Sequence, residues 1–177
     1  MKAITMYQPW ASLLACGAKK YETRSWPTNY RGPIAIHAAT RKPDTRGMSA
    51  STVHAMVQAV RPLVVQDART TMYLPLEMLP RGVIIATAEL VECWHIVHHP
   101  GTDVDQAKHI QVGAEHWVTD KHDPNFGRFF VPTEQEMLFG DWEPGRYAWE
   151  FANMTMLLEP IPAKGRQRIW NWEGGPA

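Results

Sequence analysis

The chain has almost no cysteine. Cys16 and Cys93 are the only two among 177 residues, each inside an apolar stretch. Two isolated thiols make no disulfide framework, so the expectation is buried thiols in a reducing compartment. Long hydrophobic runs are missing too. The apolar stretches are as short as Val83 to Ala86, or Met154 to Leu158 broken by Thr155. A membrane-spanning helix needs about 20 apolar residues, so no membrane partner is expected. The opening stretch MKAITMYQPW has neither an apolar signal core nor a small-residue cleavage site, and the expected location is the cytoplasm. There is no internal repeat and no low-complexity tract. No glycine-rich dinucleotide or P-loop motif and no nucleophile elbow occurs, so no cofactor is expected. Oligomeric state is left open.

Net charge is also absent: 18 Lys and Arg balance 18 Asp and Glu. Taken alone, that argues against an indiscriminate binder of polyanions. The distribution says more. Residues 1–50 hold eight basic residues and two acids, a formal +6, and the rest holds ten and sixteen, a formal −6. A basic front third with an acidic remainder favours a local site for an anionic or electron-rich ligand over a track wrapped by a long polymer.

Lys2 to Tyr7 alternates as a strand. Pro9 suits the first position of a helix carrying Ala11, Leu13, Leu14 and Cys16, with Gly17 as its stop. Lys20 to Ser25 predicts a second strand, a turn with Pro27, Asn29 and Gly32 follows, and Pro33 to Ala38 predicts a third. After a polar loop at 40–49, Ser49 or Ser51 can cap a helix running to about Val60 and ended by Pro62. Residues 62–81 read as irregular. Gly82 to Ile96 is the longest strand signal. Residues 99–145 read as loop-rich with one helix near 103–112. Gly145 to Phe151 and Thr155 to Ile161 predict two closing strands, and a basic, aromatic tail runs from Ala163 to Trp172. This pattern predicts an α+β fold around a small, mostly antiparallel, barrel-like sheet with one or two flanking helices. It predicts one domain over 1–177, with a loop-rich, histidine-containing insertion at about 97–145.

Strand alternation puts Lys20, Glu22 and Arg24 on one face, with Thr23 opposite. A carboxylate between two cations is stabilised as its anion, and a spare cation can bind phosphate or polarise a carbonyl. Trp10, Tyr21, Trp26 and Tyr30 lie close by in sequence, and an aromatic plate beside cations is how proteins hold an unstacked base. Solvated surface charge and core aromatics would give the same pattern.

Three separated segments, in order, change that balance. Met6-Tyr7-Gln8-Pro9-Trp10-Ala11-Ser12-Leu13-Leu14, then Gly17 to Trp26, then Tyr30 to Ala38 resemble the opening of the ASCH domain. Its G-x-K-x-x-E-x-R motif falls on Gly17, Lys19, Glu22 and Arg24. Gly82 to Cys93 is similar to the family's central strand, and Leu158 to Gly165 with Ile169-Trp170 to its closing segment. The front segment also looks like the ASCH domain of a eukaryotic transcription coactivator. The resemblance implies a PUA-like barrel whose cleft is lined by the Lys-Glu-Arg motif, and association with RNA or DNA. Some small members remove acyl groups from N4-acylcytidine with a K-x-x-T-x-R pattern. Here Glu22 stands at the threonine position, and the pair Lys20 and Thr23 is one residue out of register.

The expected function is therefore a module whose basic cleft binds a nucleobase, a nucleoside or short single-stranded RNA or DNA. The alternative is an amidohydrolase acting on N4-acylcytidine-type nucleosides, and a third reading is a ribonuclease. The candidate catalytic residues are Lys19, Lys20, Glu22, Thr23 and Glu89, with an acid as general base and a lysine at the oxyanion. The candidate ligand-binding residues are Trp10, Arg24, Trp26, Tyr30, Arg31, Arg166 and Arg168. In the tail, Trp170 is expected to pack while Arg166 or Arg168 rims the cleft. Six of the eight histidines fall between 95 and 122, but without recognised ligand spacing no metal is expected.

Overall fold

A computed structural model describes residues 1–64, 76–98, 116–120 and 129–174. The elements in order are β1 (Lys2–Met6), α1 (Trp10–Ala15), β2 (Tyr21–Arg24), β3 (Gly32–Ala38), α2 (Ala50–Val64), β4 (Val83–His98), β5 (His116–Asp120), β6 (Phe129–Phe130), α3 (Glu134–Phe139), β7 (Tyr147–Pro162) and β8 (Ile169–Asn171). The strands form one curled, half-barrel sheet in the order β2-β7-β4-β3-β1-β8, with β5 on β4 and β6 on β5. Among the described residues only β1 and β3 pair in parallel, Thr5 beside His37, and every other pairing is antiparallel. The α+β, barrel-like architecture is the one expected.

β3 is buried on both faces from Ile34 onward, which is why it reads as a continuous apolar run rather than an alternation. Ile34 and Ile36 join Ile4, Leu90, Trp149 and Phe151 in the main core. Ala35 faces Trp170 and Trp172 on the other side. The short α1 is buried all round: Ala11, Leu14 and Ala15 sit in the sheet core, and Leu13 meets Met56 and Val60 of α2 and Phe139 of α3. It plugs the sheet and fixes where Trp10 sits. Gln8 secures its start, with Oε1 accepting from the Ser12 amide at 3.1 Å and Nε2 donating to the Pro80 carbonyl at 2.8 Å. Pro9 takes the N-cap place and Trp10 the first helical one.

Several expectations need correction. Ser49 does cap α2, its hydroxyl accepting from the Thr52 amide at 3.0 Å, but the helix runs through Pro62 to Val64. A proline in the last turn forfeits one backbone bond and is tolerated there better than mid-helix. The two closing strands are one, β7, bent at Asn153, whose φ is +52°. The extra residue is a bulge on β7 itself: Asn153 and Met154 stand opposite Ala88 of β4, between the pairs Thr87–Thr155 and Glu89–Ala152. The tail contributes β8, paired to Lys2–Ile4. The segment expected to be loop-rich carries β5, β6 and α3 among its described residues. The helix expected near 103–112 lies outside the described residues, as do His99, His109 and His122. No described helix is long and apolar enough to cross a membrane. Cys93 is buried and Cys16 partly buried.

Candidate functional site

A cleft of about 920 Å³ opens where β1, α1, β2 and β3 meet the 164–168 loop between β7 and β8. Its walls bring together Tyr7, Trp10 and Trp26 with Glu22, Arg24, His37, Arg41, Lys164, Arg166 and Arg168. The parallel β1–β3 pairing sets Thr5 and His37 side by side on its floor.

Lys19 is placed by a helix stop. Gly17 takes φ +76°, the left-handed conformation that glycine adopts without strain. Its amide returns to the Leu14 carbonyl at 3.0 Å, and that of Lys19 to the Leu13 carbonyl at 3.1 Å. The turn drops Lys19 into the interior at 2 % exposure. There Nζ donates to Glu22 Oε2 at 2.9 Å and to the Phe139 carbonyl at 3.2 Å, at the end of α3. Arg24 Nη2 approaches Glu22 Oε1 at 3.2 Å and donates to the Thr5 carbonyl at 3.0 Å. Burial works against an ionised Glu22, but Lys19, Arg24 and, further off, Arg146 outweigh it and hold the carboxyl below the usual carboxylate range. A depressed carboxyl contributes stability that is full above its unfolded value, about 4.3, and is lost as pH falls through the lower folded value. Thermal melts should therefore drop on acidification below about pH 4, and Glu22→Gln should melt lower at neutral pH yet lose less on acidification.

The aromatics carry cations. The Arg168 guanidinium lies 5.7 Å from the Trp26 ring centre, and that of Arg41 lies 5.5 Å from the Tyr7 ring centre. Trp26 is braced edge-on by Trp149 at 4.6 Å. Arg168 holds φ +59°, a strained value for a non-glycine residue. Among the described residues, Lys164, Arg166 and Arg168 have no acidic partner.

This cationic loop rests on His37. Ala163 is the anchor: its carbonyl accepts from His37 Nε2 at 3.0 Å, and its amide donates to the Gly82 carbonyl at 3.1 Å. Because a carbonyl only accepts, Nε2 carries the proton and Nδ1 the lone pair. Burial pushes the imidazole down, so the ring is neutral. Trp170 meets it edge-on at 5.8 Å and donates to the Thr5 hydroxyl at 3.1 Å. Gly165 lies flat on the ring: a Cβ there would stand 2.6 Å from His37 Nδ1 and 3.0 Å from Thr5 Oγ1. Gly165→Ala should cost about 1–3 kcal/mol by overpacking and should displace the loop. A lowered melting temperature together with weaker ligand binding is the expected result.

Of the residues singled out from sequence, Trp10, Glu22, Arg24, Trp26, Arg166 and Arg168 line the cleft, and Lys19 lies buried against Glu22. Trp170 is buried. Lys20 does not share the face of Glu22 and Arg24. It reaches Glu150 at 2.6 Å and lies beside Tyr21, half exposed, because strand alternation begins only at Tyr21, after the Gly17 turn. Thr23 faces away from the large cleft, its hydroxyl accepting from the Asp141 amide at 2.9 Å. Glu89 is exposed and holds Asn153 at 3.0 Å. Arg31 pairs with Glu92 and with the Thr28 and Tyr30 carbonyls, and Tyr30 packs on the sheet core. Sequence reasoning missed Tyr7, His37, Arg41 and Lys164 as cleft residues. Position on the parallel strand pair is the signal that finds His37, and parallel pairing is not visible in alternation. Among the described residues, no three His, Cys, Asp or Glu side chains gather to hold a metal.

Comparison with known proteins agrees with this geometry. The family model for the ASCH domain matches residues 4–161, from β1 into β7. Activating signal cointegrator 1 of Homo sapiens and that of Mus musculus are each 32% identical to this chain over 90 residues. That stretch is 51% of this chain and 14% of each relative. With the family model covering nearly the whole chain, and Gly17, Lys19, Glu22 and Arg24 gathered at the cleft's edge, the chain belongs to the ASCH domain family.

Proposed function

We propose that this chain is a nucleic-acid-binding module whose cleft holds an unpaired nucleobase, with the attached phosphates on the 164–168 loop. The observation that carries this reading is the coincidence, in one open cleft, of three aromatic side chains with Lys164, Arg166 and Arg168, which have no acidic partner among the described residues. Among the described residues Glu22 is the only carboxylate in its walls, and it is already neutralised by Lys19 and Arg24. Aromatic faces grip bases regardless of identity, and cations follow the backbone. The overall neutrality of the chain limits this to a short segment.

Titration of a fluorescein-labelled hexanucleotide, as RNA and as DNA, tests the reading. If three or four phosphates are met, the logarithm of affinity should fall with the logarithm of salt at a slope of roughly −2 to −3 for single strands. Duplex of the same sequence should bind more weakly. Salt-independent binding, or none, would overturn the reading.

The geometry favours binding over hydrolysis of an N4-acylcytidine-type nucleoside. Lys19 is used up on Glu22 and Phe139, Thr23 on the Asp141 amide, and Glu22, held below the usual range, is a weak base. Purified protein should leave N4-acetylcytidine intact and a labelled RNA uncut; release of cytidine would restore the hydrolase reading.

A further inference from the structure

A second cavity of about 330 Å³ lies beyond the wall formed by Trp10 and Glu22, and both residues line it as well as the cleft. α2 contributes Thr52 and Met56, and the end of α3 with its following turn contributes Leu138, Phe139, Gly140 and Asp141. Its apolar lining is Met48, Met56, Leu138 and Phe139. Methionine is the side chain best able to shape itself to a flat ring. Its polar lining is Thr52, Asp141 and Arg146, the last two paired at 3.2 Å. These groups offer a hydroxyl, an acceptor and a donor to the edge of a ring. The volume is at the low end for small-molecule sites, enough for one planar heterocycle and its substituents.

The wall between the cavities suits a bridging phosphate. Three cations, Lys19, Arg24 and Arg146, stand there against two carboxylates, Glu22 and Asp141, which leaves one positive charge in excess among the described residues. We infer that the second cavity seats the base adjacent to the one in the cleft, so that the site takes a dinucleotide step straddling Trp10. This rests on the cleft reading above and adds a second binding site to it. Trp10 then presents itself to both bases, and site size is set by two cavities rather than one.

The probes are 5′-phosphorylated thymidine mononucleotide, the dinucleotide pTpT, and the same dinucleotide with its second base replaced by an abasic sugar. They are titrated calorimetrically against the full chain. pTpT should bind at least about tenfold more tightly than its abasic counterpart, the effect of one stacked base. Leu138→Trp, at a half-exposed position on the cavity's rim, should fill the cavity and erase that difference while leaving mononucleotide affinity unchanged. Thr52→Phe, from α2 rather than α3, should do the same, and mononucleotide binding doubles as the check that each variant is folded. Equal affinity for pTpT and the abasic form, or a difference that survives both fillings, overturns the second seat and leaves the cleft reading standing. Failure of all three probes to bind the unaltered chain overturns both.

Discussion

Lys19→Met should lower the melting temperature by roughly 10 °C, the largest stability effect of any single change at the site. Lys19 is 2 % and Glu22 9 % exposed, and the two meet at 2.9 Å. Removing one partner of a buried pair leaves the other charge without compensation, which costs about 3–5 kcal/mol. Arg24 remains beside Glu22 at 3.2 Å and softens the loss, but the Phe139 carbonyl also loses its donor. That carbonyl ends α3, which further holds the chain through Glu136 on the Lys20 amide and Trp142 Nε1 on the Glu136 carbonyl at 2.7 Å. Lys19 is thus the pin between the α1 turn, β2 and α3. The double variant Lys19→Met/Glu22→Gln should recover part of the loss, since no orphan charge is then buried. A drop below about 2 °C for the single variant would mean the pair is not desolvated as described.

The second large effect is on binding. Arg166→Ala and Arg168→Ala should each weaken a single-stranded hexanucleotide by roughly tenfold, in keeping with loss of one charged hydrogen bond. Each should also reduce the magnitude of the salt slope by about 0.7. Trp26→Ala should weaken binding by a similar factor and leave the slope unchanged, because stacking releases no counterions. This division follows from the site: Arg166 and Arg168 have no acidic partner among the described residues, and Trp26 offers a face braced by Trp149. Arg168 contributes to both terms because it lies over Trp26, so its loss should also change Trp26 fluorescence on titration. Equal slopes for all three variants would contradict the assignment of phosphate contacts to the loop.

Much of the fold was legible because strand signals are local. Lys2–Met6, Gly32–Ala38 and Val83–His98 follow their apolar patterns closely. α3 was legible and passed over: Thr133-x-x-Glu136 is a capping-box pattern, and the Thr133 hydroxyl accepts from the Glu136 amide at 3.2 Å. Other features depend on contacts that sequence spacing does not encode. β7 runs unbroken past Asn153 because it takes its extra residue as a bulge opposite Ala88 of β4. Lys19 rather than Lys20 meets Glu22 because a positive-φ glycine resets the geometry before the strand begins. His37 joins the cleft through a parallel pairing across 32 residues, and Lys164 through a loop anchored on that histidine. The motif pointed to the cleft; the opposite wall came from the far end of the chain.

The central claim is that the base sits between Trp10, Trp26 and the 164–168 loop. Photo-cross-linking of a hexanucleotide carrying one 4-thiouridine, followed by peptide mass spectrometry, tests it most directly. Adducts are expected on the peptides holding Tyr7 and Trp10, Trp26, and Arg166 to Arg168, all abolished by excess unlabelled single strand. Adducts confined to the outer half of β7, where Met156 and Leu158 are exposed, with none in the cleft, would contradict it.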